Sequence, residues 1–98
     1  MPYINESARL ELDDCIDNMV ECLTHGNDVS NEEFTVLLGE INYCFSRILA
    51  KSMGSTSYSK IAMITGVLEN VKQEFYRRIA TSYEDQKIVE NGDIKEYR

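Results

Sequence analysis

Ser30-Asn-Glu-Glu-Phe-Thr-Val-Leu-Leu-Gly-Glu-Ile-Asn-Tyr-Cys-Phe-Ser-Arg-Ile-Leu-Ala-Lys-Ser52 is the stretch whose periodicity decides the fold. Phe34, Leu37, Leu38, Ile41, Phe45, Ile48 and Leu49 recur at intervals of three and four, which puts them on one face of an α-helix. Ser30 and Glu33 form a capping box, in which each side chain accepts from a backbone N–H that the first helical turn leaves without a partner. Val29 and Phe34 bracket the box at the spacing of a hydrophobic staple. The spacing predicts a helix that starts at this box and runs to about Ser52.

Toward the N-terminus, Leu12, Ile16, Met19, Val20 and Leu23 carry a second helical stripe, which stops at His25-Gly26, a left-handed terminator. A helix over roughly residues 6–25 follows. Toward the C-terminus, Ser52-Met-Gly-Ser-Thr-Ser57 is a polar break, and Ile61, Ile64, Leu68, Val71, Phe75 and Ile79 then predict a helix over 58–81. Gly66 inside it costs about 1 kcal/mol against Ala, so the residue is expected where another backbone comes close. Asn91-Gly92 fits either the end of a short helix over 84–90 or a hairpin turn between Ile88-Val89 and Ile94. The helix is favoured, because strands so short have nothing to pair with. The expected fold is all-α and a single domain over residues 1–98: a three-helix antiparallel bundle, or a helical hairpin completed by oligomerisation, with a short C-terminal appendage.

Of the 98 residues, seventeen are acidic and ten basic, a net charge of −7 that argues against binding to duplex nucleic acid. The charge is uneven. Residues 1–42 hold ten acids and only Arg9, whereas residues 43–98 hold seven acids and nine bases, so an anionic ligand should meet the second half. Cys15, Cys22 and Cys44 make an odd set in a chain that opens without a secretion signal, which points to reduced thiols and a cytoplasmic location, the host cytoplasm if the chain is phage-encoded. Cys15 and Cys22 lie about 10 Å apart along one helix, too far for a disulfide. No stretch approaches the roughly 20 apolar residues of a membrane span. So short a chain buries only about 60–70% of its unfolded surface, and its long stripes make a homo-oligomer the expected state.

The polar groups beside the third stripe are more varied than solvation requires. Arg77 and Arg78, flanked by Tyr76 and Tyr83, combine the fork that clamps phosphate with rings that stack on a base or ribose. A helix C-terminus, which favours cations, also accounts for the arginines. Ser57, Tyr58 and Lys60 surround the start of the third helix, where N–H groups, hydroxyls and an ammonium could hold an anion, although Ser57 also fits a plain N-cap. On the second helix Asn42, Tyr43 and Arg47 border the apolar face, as ligand contacts or as an ordinary solvated face. These ten residues are the candidate ligand-binding set for a small anionic, nucleotide-like molecule. Catalytic residues, metal ligands and cofactors are not expected. Cys22-x-x-His25 lacks a zinc register, and Glu32, Glu33, Glu40, Glu69 and Glu74 lack the paired spacing of all-helical nucleotide pyrophosphatases, which leaves metal-dependent hydrolysis the third reading.

Met1-Pro-Tyr-Ile4, Gly39-Glu-Ile-Asn-Tyr43, Gly66-Val-Leu-Glu69, Glu74-Phe-Tyr-Arg-Arg78 and Tyr83-Glu-Asp-Gln-Lys-Ile-Val-Glu-Asn-Gly-Asp93 together resemble a family of small proteins from phages and prokaryotes with no established activity. Members often carry Ile-Asn-Glu before the Gly-Val-Leu-Glu motif, where this chain has Ala62-Met-Ile-Thr65 and so no carboxylate. In size and helix content the chain also looks like oligomeric phage proteins that sequester nucleotide signals of bacterial immunity. The resemblance implies a non-enzymatic, anti-defence sponge for such a molecule. The rival expectation is a protein-interaction module built on Asp13, Asp14, Asp17 and Glu21 of the first helix.

Overall fold

A computed structural model describes residues 4–98, and its described residues are all-α, with no strand. Met1, Pro2 and Tyr3, on which the reading of the chain's opening rests, lie outside the described residues. Helix α1 spans Glu6–Thr24 and is capped by Asn5, whose side-chain oxygen accepts from the Ala8 N–H at 2.9 Å. It ends at His25 in the left-handed conformation (φ 55°, ψ 29°), followed by Gly26 at φ 73°. Helix α2 spans Asn31–Met53. Its expected cap is present: Ser30 Oγ accepts from the Glu33 N–H at 3.2 Å.

The third helix departs from expectation. Helix α3 covers Tyr58–Phe75, capped by Ser57 Oγ, which accepts from the Lys60 N–H. The backbone then passes without leaving right-handed helical angles through one π turn, Tyr76–Ala80, into α4, Thr81–Asn91. The expected stop near Thr81 is therefore absent, and the segment expected as a separate short helix continues the third. Gly92 ends it at φ 84°, its N–H donating to Ile88 O at 2.8 Å, so Asn91-Gly92 is a helix terminator and not a hairpin turn. A last 3-10 turn covers Lys95–Tyr97.

These elements group into two compact units, the first ending at Ser52 and the second running from Met53 to Arg98. The division falls in the polar break between the second and third stripes. In the first unit the α1 stripe, including Leu12, Ile16 and Met19, and Ile41, Phe45 and Ile48 of α2 line an apolar groove of about 670 Å³. Leu37 is the only buried residue among those described.

Exposed polar groups stiffen the helices locally. Gln73 donates to Glu69 at 3.2 Å and Lys72 lies 3.5 Å from the same carboxylate; together, the amide first, they hold the Glu69 carboxyl below its ordinary range. Such surface contacts contribute little to stability.

Gly66 corrects another expectation. A Cβ built there meets nothing within 4 Å, so no neighbouring backbone requires the glycine. Its helical conformation suits alanine, which restricts the unfolded chain more. Gly66→Ala is expected to raise the unfolding free energy by roughly 0.5–1 kcal/mol in urea denaturation. A loss of stability would place a packed neighbour against this face.

Candidate functional site

The π turn coincides with the arginine pair. Thr81 N–H bonds back five residues to Tyr76 O, which absorbs one extra residue and widens the helix. In a regular α-helix residues i and i+8 point about 80° apart; with one residue absorbed, that difference falls to about 20°. Tyr76 and Glu84 therefore share a face, and the Tyr76 hydroxyl donates to Glu84 Oε1 at 3.2 Å. π turns of this kind occur often at functional positions.

Glu74 lies one turn earlier and is the hub of the cluster. Its carboxylate accepts from Arg77 Nη2 at 2.9 Å and pairs with Arg78 Nε through the other oxygen. The spacings i, i+3 and i, i+4 make both pairs possible on one helix. The Glu74 side chain is 22% exposed, whereas those of Arg77 and Arg78 are 66% and 59% exposed. One carboxylate thus orients two guanidinium groups that are themselves largely exposed. Arg77 and Arg78 are not at a helix end, because the helix runs on to Asn91; the helix dipole does not account for them. One helical turn beyond the π turn, Lys87 Nζ lies 5.5 Å from the centre of the Tyr83 ring and 3.0 Å from Glu90.

The other predicted residues lie elsewhere. Lys60 Nζ donates to Met53 O at 2.9 Å, to Ser55 O at 3.0 Å and to Ser55 Oγ at 3.3 Å, so its ammonium ties the connecting loop together. Ser57 caps α3, and Tyr58 is exposed. Lys60 precedes Arg77 by seventeen residues, about 25 Å along the helix, so the structure does not bring these two groups into one site. Asn42, Tyr43 and Arg47 belong to the first unit. There Ser46 Oγ donates to Asn42 Oδ1 at 3.2 Å. Arg47 Nη1 donates to the Tyr43 hydroxyl at 3.3 Å, and the guanidinium carbon Cζ lies 5.9 Å from the ring centre. That hydrogen bond holds the Arg47 proton more firmly than usual.

Glu74 and Glu84 are missing from the sequence-derived site. Glu74 was accessible from its spacing to Arg77 and Arg78. Glu84 was not, because regular helical spacing turns it away from Tyr76. Cys22 and His25 lie with Asn18 and Glu21 in a shallow polar depression of the first unit. Among the described residues, no three His, Cys, Asp or Glu side chains converge as a metal site, and no helix is long and apolar enough to cross a membrane. The chemistry available at the arginine cluster is recognition, through charge-assisted hydrogen bonds to an anion; the Tyr76 hydroxyl meets Glu84 and the Tyr83 ring meets Lys87.

No match to the chain was found among curated proteins or among solved structures. A family model matches residues 1–94, nearly the whole sequence, and on that match the chain belongs to the domain family of unknown function DUF6899.

Proposed function

We propose that this is a non-enzymatic, self-associating helical protein whose second unit binds a small anionic, nucleotide-derived molecule at Tyr76, Arg77, Arg78 and Tyr83. The observation that carries this reading is the single Glu74 carboxylate paired with two adjacent, largely exposed arginines at a π turn. Glu74 holds the guanidinium planes in place, and an incoming phosphate engages these exposed groups while a tyrosine ring stacks on the base or ribose. The similarity to phage proteins makes sequestration of a host signalling nucleotide the biological form of this binding.

The test is to incubate the purified chain with a nucleotide extract, remove unbound material, heat the protein and identify what is released by mass spectrometry. A phosphate-bearing nucleotide recovered intact is expected. Recovery of nothing, together with no calorimetric signal for cyclic dinucleotides, would sink the reading; recovery of a hydrolysed product would show an enzyme.

A second reading rests on the outer face of α1. Asp13, Asp14, Asp17 and Glu21 are exposed there, and among the described residues no ion pair reaches them. Such a face suits a basic protein surface. Binding that survives Arg77→Ala but disappears on replacing those acids would select it.

A further inference from the structure

The π turn does more than bring Tyr76 to Glu84. Measured from Glu74, which pairs with both arginines, a regular helix places Tyr83 about 180° away, on the far side; with one residue absorbed the angle falls to about 80°. Tyr76 stands about 160° from Glu74, and the same absorbed residue carries Glu84 round to about 180°, beside it. The two tyrosines therefore lie on different sides of the helix, and Tyr83 is the one turned toward Glu74 and its arginines.

Charge separates the tyrosines further. The Tyr76 hydroxyl donates to the Glu84 carboxylate at 3.2 Å, so an anionic ligand on that ring meets a negative charge. Tyr83 has an ammonium against it instead. Lys87 Nζ lies 5.5 Å from the ring centre and is anchored to Glu90 at 3.0 Å, while Tyr83 stays 60% exposed. Arg78 precedes Tyr83 by five residues, about 7 Å along the axis, a separation that one nucleotide spans with its phosphate at the guanidinium and its base on the ring.

We infer that the π turn builds the ligand face: Tyr83, with Lys87 beside it, stacks on the base of a single nucleotide whose phosphate meets Arg78, and the Tyr76–Glu84 pair is a clasp on the other side that holds this register. This rests on the proposed anion binding at the arginines and gives its two tyrosines different tasks. Tyr76 and Glu84 are positioning residues, acting through the helix and not on the ligand. A hydrogen bond between exposed groups is a weak clasp, so its loss shifts the register severalfold and does not abolish the face.

Calorimetry with two probes supplies the test: adenosine 5′-monophosphate, and ribose 5-phosphate, which carries the phosphate without a base. The parent chain is expected to bind the nucleotide at least about fivefold more tightly, as a stacked base requires. Tyr83→Ala should remove that preference and leave ribose 5-phosphate binding within about twofold. Tyr76→Phe keeps the ring and loses only the donor to Glu84, and should cut the preference about threefold. Deletion of Ala80 gives a readout that a merely structural clasp does not move. It takes the absorbed residue out of the chain, so a regular α-helix places Tyr83 eight residues from Glu74, again at about 80°. The preference should persist, and Tyr76→Phe should then have no effect.

A preference that survives Tyr83→Ala would overturn the inference, as would its loss on deleting Ala80 in a chain that keeps its helix content by circular dichroism. Should the deletion unfold the chain, the two point variants decide: a preference that Tyr76→Phe leaves unchanged overturns the clasp. A parent without any preference overturns the whole inference; recovery of a nucleotide from the extract by that same protein would show the anion-binding reading standing without it, and recovery of nothing would show both failing.

Discussion

Phe45→Asp is expected to dissociate the assembly, leaving a chain that sediments as an 11.3 kDa species at concentrations where the parent is associated. Phe45 lines the groove and is its largest side chain, and aromatic residues at the centre of an interface carry a large share of its energy. The substitution removes that contact and asks the partner to desolvate a carboxylate, at a cost of several kcal/mol per ion, equivalent to at least a thousandfold weakening of association. Val36→Asp is the matched control. Five residues before Ile41 on α2, Val36 points away from the lining positions, is 66% exposed, and should leave association unchanged. Loss of folding is separated from loss of pairing by following the thermal midpoint. In the parent it should rise with protein concentration, as linkage requires of an associating fold, and in Phe45→Asp it should lie lower and lose that dependence. Equal dissociation by both substitutions would mean that added charge, and not the groove, is responsible.

Arg77→Ala combined with Arg78→Ala is expected to lower affinity for a phosphate-bearing nucleotide by about thirtyfold or more, measured by calorimetry. Hydrogen bonds to charged groups contribute about 1.5–3 kcal/mol each, and thirtyfold corresponds to about 2 kcal/mol, so the loss of one good contact reaches that threshold. Glu74→Gln distinguishes ligand recognition from a structural ion-pair network. It keeps the side chain's size and one of the two acceptor oxygens while removing a negative charge close to the ligand. Affinity should rise about threefold, from a Coulomb contribution of roughly 0.7 kcal/mol near 6 Å in water. If the double alanine variant bound normally, the cluster would be a helix-stabilising network and the nucleotide reading would fail.

Much of the secondary structure was legible because its signals are local. Ser30 and Glu33, Ser57, His25-Gly26 and Asn91-Gly92 act through backbone groups within a few residues, and each marks a boundary that the structure places within one or two positions. The stripe Leu12, Ile16, Met19, Val20 and Leu23 was equally legible, and it lines the groove. Lys60 was misleading for a related reason. A lysine at a loop–helix junction reads the same whether its ammonium meets an anion or the carbonyls of Met53 and Ser55, and only the path of the loop distinguishes them.

The sequence by itself determined the all-α class, four of the helix boundaries, the apolar stripe of each helix and the adjacency of Arg77, Arg78 and Tyr76, because these depend on interactions among residues four or fewer apart. Only the tertiary structure decided three further points: that the third helix continues through a π turn to Asn91, that Tyr76 thereby meets Glu84, and that the α1 and α2 stripes line one apolar groove. The physical reason is that one absorbed residue rotates every later side chain about the helix axis, and periodicity alone does not register that rotation. Likewise, an apolar stripe carries a requirement to be covered but not the identity of the surface that covers it.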